Sequence, residues 1–180
     1  DLRREGTAEV SLKSDLADLE ELRLGDESRS VMRRMVKQGF RVVPRPIGDD
    51  LPELPPDVTS LHEERLMELW GEFTSWTDYL AVQAAAAEID DRAAERALDA
   101  HTAGVLLGDG GKEAVAKAKA RAAADPRTTE LQEELDDAHA YAKLCRVLVN
   151  NLERDSQFLS RELTRRTGGS NNAARAGRRM

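Results

Sequence analysis

Apolar residues recur along most of this chain at intervals of three and four, the spacing of helices that bury one face. Residues 8–24 set Leu12, Leu16, Leu19 and Leu22 at that spacing and predict a short amphipathic helix. A second short helix is expected over 26–38, with Val31, Met32, Met35 and Val36 on its apolar side. Gly39 should end it, because glycine accepts the left-handed backbone that closes many helices. Phe40 to Val43 reads as a brief extended segment. The run PRPIGDDLPELPP follows and holds five of the six prolines. Such a run is a stiff, partly polyproline connection, and it places a boundary with a linker over 46–58.

Ser60 and Glu63 then form the pattern of a capping box at a helix start. From Leu61 the helical pattern meets no proline until after Leu107, with Leu66, Leu69, Trp70, Phe73, Trp76, Leu80, Ala84, Ala87, Ala94, Leu98 and Val105 along one stripe. At the rise of an α-helix this element is on the order of 70 Å long, more than a globular core accommodates. Its aromatic first third should pack against several elements, and its Ala-rich remainder should let another helix approach closely. Gly108 to Gly111 reads as a turn, and Lys112 to Ala124 is helical by propensity. Asp125-Pro126 fits an N-cap followed by proline at the first helical position, opening a last helix that is expected to run to about Arg166.

That last helix carries the clearest period in the chain. Leu131, Ala138, Cys145, Leu152 and Leu159 recur every seven residues, and Leu135, Ala142, Val149, Ser156 and Leu163 recur in step. This is a heptad seam. Leu131, Leu135, Cys145, Val149, Leu152, Leu159 and Leu163 are therefore the expected oligomerisation positions. Tyr141, Leu144, Val147 and Leu148 widen the seam and suggest burial by the hairpin partner and by another chain. Residues 167–180 read as a flexible basic tail. The expected fold is all-α: a long antiparallel helical hairpin or coiled coil over 59–166, preceded by a small helical segment over 1–45.

Composition supports that picture and narrows the chemistry. Of 180 residues, 34% are charged and only 4% aromatic, so alanine carries much of the apolar fraction and the helices should meet through narrow seams. One cysteine, Cys145, excludes a disulfide framework, and three histidines with one cysteine argue against structural zinc. No apolar run is long enough for a transmembrane helix, and no signal peptide precedes Asp1. The expectation is a cytoplasmic protein with no membrane partner.

The search for catalysis returns little. Gly111-Lys112 suggests a phosphate loop, but Leu106 and Glu113 occupy positions that need glycine and a hydroxyl residue. His62-Glu63 begins a zincin motif that Leu66 voids. His101 and His139 are isolated, and Asp90-Asp91 and Asp136-Asp137 point about 100° apart on a helix, as solvated faces do. Cys145 falls on the seam as a small hydrophobe. Neither an enzyme nor a cofactor or metal site is expected.

Charge points to binding instead. The net charge of −7 conceals a stretch from Arg29 to Arg45 with six basic residues and no acid. Arg29, Arg33, Arg34, Lys37 and Arg41 can follow phosphates, and Phe40 can stack on a base. The competing reading is a solvated basic face, or a segment that docks protein. Arg161, Arg165 and Arg166 form a second basic group near the expected helix end, where cations also complement the helix dipole. Trp70, Phe73, Trp76 and Tyr79 at helical spacing read as packing residues in preference to a base-stacking platform.

The order of features over roughly 61–166 resembles the T-even phage recombination mediators, the UvsY-like family. An aromatic segment (Phe73, Trp76, Tyr79, Leu80) opens a long helix, and a Lys/Ala-rich arm follows over 113–121. After Ala124-Asp125 comes a second long helix, apolar from Tyr141 to Leu152 and ending in Ser160-Arg161-Glu162-Leu163-Thr164-Arg165-Arg166. The resemblance implies a homo-oligomer that binds single-stranded DNA and loads a strand-exchange recombinase in the presence of a single-strand-binding protein. It makes Lys112, Lys117, Lys119 and Arg121 the matching basic arm, although the first long helix here is more acidic than that family suggests. Two alternatives stay open: a structural or scaffolding coiled-coil protein of a phage particle, and a small terminase-type DNA-packaging adaptor.

Overall fold

The computed structural model describes residues 24–48, 50–107 and 115–177. The helix expected over 8–24, the Gly108–Gly111 turn and Lys112 lie outside the described residues, apart from Leu24. The protein is all-α. Helix α1 spans Asp26–Lys37, a 3-10 turn spans Val58–Ser60, α2 spans Glu63–Leu107, α3 spans Val115–Ala124 and α4 spans Pro126–Gly177. Among the described residues there is no strand.

Two compact units make up the chain, and the division runs through both long helices. One unit joins residues up to Val42 with Val82–Cys145, and the other joins Val43–Ala81 with the chain from Arg146 onward. One cut thus falls beside the Pro-rich segment, whereas the others fall inside α2 and α4.

In the first unit the buried residues are mostly small: Ala84, Ala86, Ala87, Ala118, Ala122, Ala142 and Cys145, with Leu131 the main larger one on the long helices. Side chains of that size fill a core only if the helix backbones come close. The stretches of α2 and α4 run antiparallel, since His101 pairs with Asp125 and Asp91, a few turns earlier on α2, pairs with His139 further along α4. Helix α1 docks here through buried Ser28 and Val36. Its C-terminus closes as the glycine signal predicts: Gly39 has φ of +90°, the Gly39 N–H donates to the Val36 carbonyl, and the Phe40 N–H donates to the Met35 carbonyl. That pair of bonds is the Schellman arrangement. Helix α4 starts where expected, with the Arg127 N–H donating to the Asp125 carboxylate at 3.0 Å, an N-cap immediately before Pro126.

The second unit has the bulky core. Leu66, Leu69, Phe73, Trp76 and Leu80 of α2 are buried, as are Val149, Leu152 and Leu159 of α4. The stretches are again antiparallel, with Thr74 beside Ser156 and Leu61 beside Arg166. Trp76 and Tyr79 meet edge to face with centroids 5.9 Å apart, and the Arg45 guanidinium lies 5.7 Å over the Trp76 ring.

Two local expectations change. The Ser60 hydroxyl donates to the Asp57 carbonyl, because Ser60 belongs to the 3-10 turn. Helix α2 begins with the Leu66 N–H donating to the His62 carbonyl. The capping box therefore gives way to a turn that caps itself. At the other end, α4 continues beyond Arg166 to Gly177. Thr167 bonds back to the Leu163 and Thr164 carbonyls, and no proline interrupts the sequence beyond it.

Candidate nucleic-acid interface

Helix α1 is amphipathic in a way that gathers its cations. Ser28 and Val36 face inward, and on the outer flank Arg29, Arg33 and Lys37 form one column, with Asp26, Ser30 and Arg34 in the next. Residues four apart on a helix stand about 6 Å apart along its axis. These six residues line a depression of about 440 Å3. Arg33, Arg34 and Lys37 are exposed and Arg29 is half-buried. Arg29 donates through Nη2 to the Leu24 carbonyl at 3.2 Å, whereas its Nε is buried and has no hydrogen-bond partner among the described residues. A buried cationic donor left unsatisfied is costly. Asp26 is the acid on this flank.

The Gly39 turn leaves Phe40 56% exposed directly after the basic helix, with Arg41 exposed beside it. A large aromatic ring held in solvent next to a cationic groove is the arrangement that stacks on an unpaired base. Thus Arg29, Arg33, Arg34 and Lys37 converge, and Phe40 and Arg41 follow them along the chain.

Among the other basic candidates, Arg121, Arg165 and Arg166 have structural partners. On α3, Lys117, Lys119 and Arg121 are exposed. Arg121 donates to the Val105 carbonyl at 2.8 Å and so satisfies one of the orphan acceptors in the last turn of α2. Arg165 and Arg166 belong to the other unit and both bind Glu162. Arg165 donates from Nε and Nη2 to its two oxygens at 2.7 Å each, and Arg166 donates from Nε at 2.8 Å. Arg166 also donates to the carbonyls of Leu61 at 2.6 Å, Thr59 at 3.0 Å and Val58 at 3.2 Å. It holds the 3-10 turn against α4.

Those bonds from Arg165 and Arg166 lower the Glu162 carboxyl from its usual 4.5 to about 2. The stabilisation is therefore complete above about pH 4.5 and drains away as pH falls toward 2. Thermal melts of the Glu162→Gln variant should show a lower Tm at neutral pH and a flatter decline across that acid window. A variant with the acid limb of the parent would show that other carboxylates set it.

The heptad positions Leu131, Cys145, Val149, Leu152 and Leu159 are buried inside the single chain, with Leu135 and Leu163 half-buried. Among the described residues, Tyr141, Leu144, Val147, Leu148 and Phe158 are the large apolar residues that α4 leaves exposed. Phe73 and Trp76 are core, whereas Trp70 is 36% exposed. Asp90 and Asp91 are more than solvated acids. Asp91 lies 3.4 Å from His139 Nδ1, and Asp90 accepts three hydrogen bonds at the start of α1. His101 Nε2 lies 2.9 Å from the capping Asp125 carboxylate. Nothing in the local sequence marks Asp90, whose partners lie more than sixty residues away.

Among the described residues no group of three His, Cys, Asp or Glu is placed to hold a metal ion, and no helix is long and apolar enough to cross a membrane. The chain matches no family model, no curated protein and no solved structure.

Proposed function

We propose that this is a non-enzymatic protein that binds single-stranded DNA through the outer flank of α1. One observation carries the reading: three arginines and a lysine line one depression on the outer flank of α1. The exposed Phe40 favours single strands over duplex, because a paired base has no free face to stack on. The resemblance to phage recombination mediators supplies the role: assisting the loading of a strand-exchange recombinase in competition with a single-strand-binding protein, as a homo-oligomer in the host cytoplasm.

Fluorescence anisotropy of a labelled single-stranded oligonucleotide, repeated with duplex and at two salt concentrations, tests this reading. Salt-dependent binding that favours the single strand is expected. A duplex preference would instead support a terminase-type packaging adaptor.

A second reading rests on Tyr141 and Leu144, three apart on α4 and 42% and 62% exposed. Apolar side chains at helical spacing support self-association, as in a structural or scaffolding protein of a particle. Assembly in the absence of any nucleic-acid affinity would favour it.

A further inference from the structure

We infer that Asp90 is the positioning residue of the α1 interface, a deepening that rests on the single-stranded-DNA reading above. Helix α1 opens at Gly25, which has no side chain to cap the first turn. The missing cap comes from α2. Asp90 Oδ2 accepts from the Gly25 N–H at 2.9 Å and from the Ser28 hydroxyl at 2.7 Å, and Oδ1 accepts from the Ser28 N–H at 3.0 Å. Ser28 is fully buried, so this is the point where α1 is fastened.

Gly25 is matched to that carboxylate. A methyl group there would stand 2.7 Å from Asp90 Cγ and Oδ1, although the Gly25 backbone itself, at φ −70° and ψ 177°, suits any residue. Asp90 engages the Gly25 and Ser28 amides, so a carboxylate already sits at the N-terminus of α1, and its flank is the surface left to receive phosphate. Arg29 sits one residue after Ser28, at the head of the basic column. The orientation of Arg29, Arg33 and Lys37 therefore follows from a carboxylate that itself touches no ligand.

The test turns on the sign of the effect. Removing an acid from a protein that binds a polyanion strengthens binding when only long-range charge matters. A positioning role predicts the reverse: Asp90→Ala weakens single-stranded-DNA binding by about fivefold, the scale of a lost helix cap. Asp99→Asn removes an exposed acid elsewhere on α2 and is expected to leave affinity unchanged or raise it. Gly25→Ala keeps every charge and pushes the Asp90 carboxylate off its partners, so it should weaken binding like Asp90→Ala. It decides the matter if Asp90→Ala fails to fold by circular dichroism. Binding by Gly25→Ala and by a folded Asp90→Ala equal to or tighter than the parent overturns the inference while leaving the reading of α1 intact. A parent chain that binds no single strand overturns that reading, and the inference with it.

Discussion

Reversing Arg33 and Arg34 together to Glu should reduce single-stranded-DNA affinity by about a hundredfold or more at moderate salt. Both side chains are exposed on the flank of α1 that lines the basic depression. Each phosphate contact that is lost lowers the slope of log affinity against log salt by about 0.7 for a single strand. Two lost contacts should therefore flatten it by about 1.4, and the new carboxylates add repulsion beside Asp26. Because neither residue is buried, the melting curve should move little, which separates a binding defect from an unfolding one. Affinity within about twofold of the parent, with the salt slope unchanged, would remove α1 from the interface. The same reversal at Lys117 and Lys119 then reports whether the α3 arm takes part.

The largest effect on stability is expected at Phe73. Its side chain has no exposure at all, and it sits among Leu66, Leu69, Trp76 and Leu80 in the bulky unit. Phe73→Ala should cost about 3–5 kcal/mol, the transfer free energy of the ring together with the cavity it leaves. For a chain of this length each kcal/mol moves Tm by about 2–4 °C, so a fall of roughly 10 °C is expected by calorimetry. The Ala-lined unit has no single side chain of comparable size to lose. A Tm change of only a degree or two would mean that the surrounding residues collapse into the vacated space.

These two expectations draw on different kinds of information. Phe73 as a core residue follows from its place on a helical stripe, and the basic character of the segment from Arg29 to Arg45, which takes in most of α1, follows from six cations without an acid. Both are local facts, legible because a helix of regular pitch turns residue spacing into direction. For the same reason the chain order alone marks the stop at Gly39, the cap at Asp125 before Pro126, and the burial of Leu131, Leu152 and Leu159.

Contacts between residues far apart in the chain had no such signal. Asp90 looks like one of many acids on an acidic helix, and its role appears only when α1 brings Gly25 and Ser28 to it. Arg166 looks like a dipole-complementing cation until the carbonyls of Val58, Thr59 and Leu61 arrive beside it. The Ser60 hydroxyl had two local acceptable arrangements, and the turn at Val58–Ser60 decided between them. Tyr141, Leu144 and Leu148 widen the apolar pattern of α4, but a pattern records hydrophobicity and not occupancy, so only the packed chain shows how far each is exposed. The sequence by itself determined the helices, most of their ends and most of their buried faces, because those depend chiefly on neighbours within a few residues. Tertiary structure alone decided which polar groups fasten one element to another, because hydrogen bonds across sixty or a hundred residues depend on where the chain returns.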